Sequence, residues 1–225
     1  MEIEPRLWAV LLIGPPGAGK DTQAALLALE LGLVQIKTSQ IIDRKFSQAG
    51  PDDAAIQEQI RRKAAGDLVE PKLVLEWFIE ELRSLRGQGK GIVASGSPRT
   101  LPEAEAELPV LEELYGKENV KIVSLQIGEE ESVKRNSARR VCKQNNHPIP
   151  NFPEYEGMTA CPQDGSPIIT RADDTPETIR HRYQAYQEET HPVLDFFGQK
   201  GYAVATVHGE QPIENVHREI LNKLW

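Results

Sequence analysis

Apolar residues recur along this chain in two rhythms. Residues 7–13, LWAVLLI, form an unbroken apolar run, as expected of a central parallel strand buried on both faces. A glycine-rich turn follows at once. Then comes DTQAALLALELGL, whose apolar positions repeat at helical spacing. Three shorter runs predict further strands: GIVAS (91–95), VKIVSLQI (120–127) and YAVATVHG (202–209). Helical patterns separate them, over 53–65, 71–86, 102–115 and 129–141. DDTPETIRHRYQAYQEE opens a last long helix. Asp174 serves as its cap, Pro176 suits an early helical position, and Glu177 stands three residues after the cap. Pro192 should end or kink that helix. Strands alternating with helices predict an α/β fold built on a doubly wound parallel sheet. Residues 142–170 break the rhythm. They carry Pro148, Pro150, Pro153, Pro162 and Pro167, with Gly157 and Gly165, and predict a small insertion of turns and short strands. Trp8, Trp77 and the apolar stripe of PKLVLEWFIEEL read as core.

Composition narrows the function. The 225 residues fit one α/β domain with small insertions. A net charge of −8 argues against a general nucleic-acid or membrane-surface binder, so any basic chemistry must be local. The opening MEIEPR carries acids and no long apolar run, unlike a signal peptide. No apolar stretch approaches the length of a membrane span. Two cysteines, Cys142 and Cys161, are too few for a secreted disulfide scaffold of this size. The expectation is a soluble cytoplasmic protein, with nothing asking for more than a monomer.

The first apolar run leads into GPPGAGKDTQ (14–23). Gly14, Gly17 and Gly19 let the backbone turn tightly and aim N–H groups at phosphate oxygens, with Pro16 and Ala18 between them. The next helix adds its positive N-terminal end. Lys20 supplies a point charge to the outer phosphates. Strand, glycine loop and helix are the context that a phosphate-binding loop requires. A hydroxyl usually follows the lysine directly. Here Asp21 does, and Thr22 comes one place late.

Other motifs turn this loop into a likeness. GPPGAGKDTQ resembles the loop of adenylate kinases, where glycine usually follows the lysine. GSPRT (96–100) is similar to that family's G-F-P-R-T. RNSARRVC (135–142) resembles its R-x-x-G-R-R stretch. RADDTPETIRHRYQAY (171–186) is similar to its R-x-D-D-x-x-E-x-x-x-x-R-x-x-x-Y, and GDLVEPKLV (66–74) to its G-x-L-V segment. The motifs run in family order over nearly the whole chain. The resemblance implies a core (1–36, 71–137 and 171–225), a mobile helical monophosphate-binding insertion (37–70) and a lid (138–170). It implies phosphoryl transfer from ATP, with Mg²⁺, to a nucleoside monophosphate. That chemistry asks the protein for alignment and charge stabilisation, and arginine forks grip phosphate oxygens well. By resemblance Arg99 holds the acceptor phosphate, while Arg135, Arg139, Arg171 and Arg182 embrace the donor and the moving group. Arg135 would also stack on the donor base. Spacing puts Arg135 and Arg139 on one helix face. Asp173 and Asp174 would orient arginines on lid closure. Thr38, Val69 and Gly96 complete the expected acceptor site.

The chain departs from the family at four places. The strand GIVAS ends in Ser95, where the family usually has an aspartate for the waters around Mg²⁺. Asp21 is a new carboxylate in the loop. Either the magnesium carboxylate has moved from the strand end to Asp21, or Asp21 sits in the first helical turn and points away. In TSQIIDR (38–44), Asp43 falls where an arginine should grip the acceptor phosphate, and Arg44 is one step round the helix. A carboxylate beside a phosphate is repelled, so either Arg44 swings in or the acceptor binds differently. Glu103 replaces a glutamine that reads adenine, and Ser97 replaces a nearby phenylalanine. An ionised glutamate only accepts hydrogen bonds, which suits guanine's N–H edge better. Finally, many family lids bind Zn²⁺ through C-x-x-C and C-x-x-[CD]. Here Cys142, Cys161 and Asp164 match three corners. Asn145 holds the second, and His147 lies two residues on. Cys/His/Cys/Asp is acceptable to tetrahedral zinc; other members fill these corners with a hydrogen-bonded network. His181, His191, His208 and His217 fit no metal spacing and read as surface or capping residues. The leading expectation is an adenylate kinase. The alternatives are a kinase for GMP or another monophosphate, and a degenerate nucleotide-binding protein.

Overall fold

The computed structural model describes residues 7–64, 69–144, 147–149, 155–170 and 174–225. Five parallel strands make the main sheet: β1 (Ala9–Ile13), β2 (Val34–Ile36), β3 (Ile92–Ala94), β4 (Val120–Gln126) and β8 (Val204–His208). Their spatial order is β2-β3-β1-β4-β8. Strand β1 lies in the middle, paired in parallel with β3 on one side and β4 on the other. Chain order reverses across it, so the loop leaving its carboxyl end lies at a switch point, where open α/β sheets bind ligands.

The apolar run of β1 reads as it does because the strand has no wet face. All five residues are at most 2 % exposed. Ala9, Leu11 and Ile13 point into one apolar cluster, and Val10 and Leu12 into another. The first cluster is closed by α4 (Pro71–Gly87), α5 (Leu101–Tyr115) and α8 (His191–Gln199), through Phe78, Leu82, Leu108, Leu111, Val193 and Phe197. The second is closed by α1 (Lys20–Leu31) and α9 (Ile213–Leu224), through Leu27, Leu31, Val216 and Ile220. Of the tryptophans, Trp77 is buried in the first cluster, while Trp8 packs edge-on against Trp225 at 5.2 Å between ring centroids.

Two segments are inserted between the elements of this layering, the first packed on the first cluster through Ile41, Phe46 and Ile56. Helices α2 (Thr38–Gln48) and α3 (Ala54–Ala64) follow β2. Between α6 (Glu129–Ser137) and α7 (Pro176–Ala185), β5 (Arg140–Cys142) forms a small antiparallel sheet with β6 (Pro148–Ile149) and β7 (Ile168–Thr170). Turns and short strands are what the proline-rich composition of 142–170 predicts.

Three expectations need correction. The helix expected over 129–141 stops at Ser137: Ala138 takes φ −90° and ψ 0°, and the chain enters β5 at Arg140. Asp174 does not cap α7. Thr175 does, its side chain accepting from the Thr178 N–H, with Pro176 in the first turn. The last long helix is not uniform either. A π-helical segment, Tyr186–Thr190, separates α7 from α8. Pro192 lies just beyond it and lacks the N–H that an α-register would need. Strand β2 and helix α9 escaped the hydrophobic reading. β2 is only three residues long with one buried side chain, and α9 is mostly polar outside its apolar stripe.

Phe78 is 1 % exposed between α4 and the sheet. Phe78→Ala should therefore cost about 3–5 kcal/mol, read as a shift of the urea midpoint. A loss under about 1 kcal/mol would show that α4 does not close the core.

Candidate active site

The loop between β1 and α1 is moulded against α6. A Cβ on Gly14 would lie 2.5 Å from the Leu125 carbonyl oxygen, so only glycine lets the chain pass there. Gly17 has φ +77°, and a Cβ there would lie 2.5 Å from Asn136 Nδ2. Ser132 Oγ donates to the Pro16 carbonyl at 2.7 Å, and Asn136 Nδ2 to the Ser132 carbonyl at 2.8 Å. Ala18 is buried, and Gly19 precedes the first turn of α1, which holds Lys20, Asp21 and Thr22.

Lys20 curls back over the loop. Its Nζ donates to the carbonyls of Gly14 (2.7 Å) and Pro15 (2.8 Å). Burial pushes its pKa down to about 8; the charge of Asp21 opposes this, while Arg99 and Arg139 depress it further. Two guanidiniums are thus near enough to be felt by the loop lysine.

Each arginine is held by its own partners. Arg99 lies just past β3, and its Nε donates to the Gly96 carbonyl at 2.8 Å. Arg135 is on α6, with Nε on Glu131 at 2.7 Å, Nη2 on the Gly209 carbonyl at 2.9 Å and Nη1 near the Gly17 carbonyl at 3.4 Å. Arg139 does not share its helix face, because α6 has ended. Instead its fork binds Asp174 twice, Nε to Oδ2 at 2.9 Å and Nη2 to Oδ1 at 2.7 Å. Arg182, on α7, reaches the same carboxylate at 3.5 Å. Buried Asp174 therefore gathers two of the expected arginines from different segments. Arg171 and Asp173 lie outside the described residues.

Asp21 turns toward the sheet and not away from it. Ser95 Oγ donates to its Oδ1 at 2.6 Å, joining positions 74 apart in sequence. The contact exists because β3 lies directly beside β1.

At the positions expected to hold the acceptor, Thr38 opens α2, and its Oγ1 is shielded from solvent with no hydrogen-bond partner among the described residues. Gly96 abuts it: a Cβ on that glycine would come 3.1 Å from Thr38 Oγ1 and 3.5 Å from an Arg99 nitrogen. Val69 is buried in the same apolar cluster as Ile41. Arg44 is engaged elsewhere, paired with Glu81, and Asp43 is paired with Lys63. Glu103 accepts from the Arg99 backbone N–H at 2.6 Å, while its own N–H donates to Thr100 Oγ1 at 3.4 Å. That pairing resembles a capping box at the start of α5.

In the small sheet, the chemistry-bearing side chains converge. One ligand atom each from Cys142, His147, Cys161 and Asp164 lies within 4.8 Å of the others. Cys142 Sγ donates to Asp164 Oδ2 at 3.0 Å and lies 2.9 Å from Ser166 Oγ. His147 Nδ1 is 3.5 Å from Cys161 Sγ and 3.3 Å from Asp164 Oδ2. Both cysteines are buried, and among the described residues neither is in a disulfide. Asn145 lies outside the described residues.

Comparison with known proteins decides what this arrangement is. The family model described as adenylate kinase matches residues 12–202. The chain is 37% identical over 218 residues to an adenylate kinase of Chloroherpeton thalassium, covering 94% of this chain and 95% of that one. It is 35% identical to one of Pelobacter propionicus, covering 94% of each chain, and 33% identical to one of Methanothrix thermoacetophila, covering 94% and 95%. The chain belongs to the adenylate kinase family.

Within that family frame, one group was not singled out from the sequence. Glu107, on α5, is 1 % exposed. Its Oε1 accepts from Ser97 Oγ, and among the described residues its Oε2 has no hydrogen-bond partner. Burial holds its carboxyl far above the usual carboxylate range, with Glu103 adding to the rise and Ser97 opposing it. The only sequence signal was a glutamate on the apolar face of α5, opposite the serine that replaces phenylalanine.

The folded state keeps the Glu107 proton while the unfolded chain gives it up near its ordinary pKa of about 4.3. Stability from this position is thus full in acid and drains away as pH rises. Glu107→Gln should melt above the parent at about pH 8, with the gap closing toward pH 4. Equal melting temperatures across that range would rule out the neutral carboxyl.

Proposed function

We propose that this protein catalyses transfer of the terminal phosphoryl group of ATP to AMP, giving two ADP. The observation that carries the reading is the crowding of like charge at the carboxyl end of β1. Lys20 is buried over the glycine loop, its Nζ on the carbonyls of Gly14 and Pro15, and the charges of Arg99 and Arg139 add to what burial already does in lowering its proton affinity. Such a set is stabilised by a polyanion between its members.

The roles follow from position. The loop, from Gly14 through Gly17 and Gly19 to Thr22, cradles the donor's phosphates, with Lys20 leaving its two carbonyls for them. Arg135 lies between the loop and Gly209 and takes the donor base side. Arg139, Arg182 and Arg171 hold the charge of the moving group, the first two aimed by Asp174. Arg99, Thr38 and Gly96 receive the acceptor phosphate. Arg44 joins them only by leaving Glu81. Mg²⁺, bound with ATP, would neutralise charge on its outer phosphates. Residues 37–70 and 138–170 are the two segments that close over the substrates, with Asp173 and Asp174 anchoring the second. We place the protein in the cytoplasm as a monomer.

The acceptor base is the finer question. Glu103 accepts and cannot donate while ionised, which favours testing guanine beside adenine. An assay with MgATP against AMP, GMP, CMP and UMP should give diphosphate fastest with AMP. Diphosphate from none of them would overturn the kinase reading.

The four side chains of the small sheet fit Zn²⁺. Thiolate, imidazole and carboxylate at mutual distances of 4.8 Å or less form a donor set of the right kind. Cys142, His147, Cys161 and Asp164 would hold the ion, which would staple β5 to the turn before β7. Purified protein should contain one zinc per chain by metal analysis. Cys161→Ser should lose it and lower the melting temperature. Protein without stoichiometric zinc leaves the hydrogen-bonded network as the staple.

A further inference from the structure

We propose that Asp21 supplies the protein carboxylate that holds the magnesium of bound MgATP, and that Ser95 is the positioning residue that aims it. This deepens, and rests on, the reading of the protein as an ATP-dependent kinase.

In phosphate-loop proteins two positions commonly share the ion. A hydroxyl directly after the loop lysine touches it, and an acidic side chain on a strand of the sheet completes the set. In this chain the loop keeps a hydroxyl, Thr22, one place late, and a carboxylate, Asp21, stands directly after Lys20. The residue just past β3, the strand beside β1, is a hydroxyl, Ser95. The place thus still holds one acid, carried by the first turn of α1 instead of by the strand.

The geometry shows that they act as a pair. Ser95 is 5 % exposed, so its hydroxyl has few choices, and it donates to Asp21 Oδ1 at 2.6 Å. The hydroxyl proton is thereby committed, and the serine oxygen keeps lone pairs. Among the described residues, no hydrogen bond or ion pair engages Asp21 Oδ2. The Asp21 side chain is open to solvent, as an ion-binding carboxylate needs to be. Its backbone is pinned as well, since Gln35 Nε2 donates to the Asp21 carbonyl at 3.1 Å. A residue placed only to favour the positive end of α1 would have no cause to cross to β3. The near field suits a cation shared with phosphates too: among the described residues, Asp21 is the acid whose charge acts on Lys20. Magnesium takes hard oxygen ligands, one or two carboxylates beside substrate phosphates, and retains several waters. The free oxygen of Asp21 meets that demand, either directly or through one of the waters the ion retains.

The test separates metal binding from turnover. Parent and variants are saturated with ATP, without acceptor, and titrated with Mn²⁺ while the electron paramagnetic resonance signal of free Mn²⁺ is followed. Asp21→Asn keeps an acceptor for Ser95 and removes the charge. It should weaken Mn²⁺ binding to the ATP complex at least about tenfold, while metal-free ATP binds as well as to the parent or better. Ser95→Ala should weaken it by a smaller factor. The double variant Asp21→Gly/Ser95→Asp returns the acid to the strand and should regain most of what Asp21→Gly loses. Unchanged Mn²⁺ affinity in Asp21→Asn would overturn the proposal. So would a double variant that melts with the parent and binds metal no better than Asp21→Gly. Failure of the parent to bind ATP at all would instead sink the kinase reading beneath it.

Discussion

Positive charge is packed more tightly at the end of β1 than it would choose to be. Lys20 loses proton affinity chiefly through burial, and Arg99 and Arg139 add to the loss. Nothing about an isolated loop would keep those groups together. They stay because the surrounding fold fixes each by bonds that have nothing to do with the others: Lys20 by two loop carbonyls, Arg99 by Gly96, Arg135 by Glu131 and Gly209, Arg139 by Asp174. Electrostatic preorganisation of this kind acts strongly because no rearrangement is needed when charge develops.

The acids of the site divide by the cation they serve. Asp174 is buried and gathers arginines from two segments of the chain. Glu131 braces Arg135 from one turn away on α6, and that guanidinium holds the Glu131 carboxyl below its usual range. Asp43 and Glu81, on the acceptor side, are answered by Lys63 and Arg44. These last pairs are exposed, and such pairs contribute little to stability. Such pairs exchange partners at little cost, whereas the buried Asp174 pairs do not.

Much of this was legible in the residues. The apolar run of β1, the glycines after it and the helical stripe beyond announced a phosphate loop. The order of the later motifs announced the family. What stayed hidden was contact across distance. No periodicity brings Ser95 to Asp21; only the pairing of β3 with β1 does. Arg139 looked like the neighbour of Arg135 because a four-residue step implies one helix face, but α6 ends first. For Asp174 the residues suggested two tasks, capping and the orienting of arginines; a threonine one place later took the first, and the carboxylate serves the second. Glu107 escaped because a buried acid and its serine partner are each unremarkable in sequence.

The seating of Gly17 against Asn136 has a thermodynamic side. With 2.5 Å between that nitrogen and the place of a Cβ, the loop has no slack on the side of α6. Its shape is borrowed from a helix that begins more than a hundred residues later, and the entropy of ordering it is spent when the protein folds. A nucleotide therefore meets a backbone that has already surrendered its freedom. More of each phosphate contact can appear as affinity, since little is consumed in organising the loop.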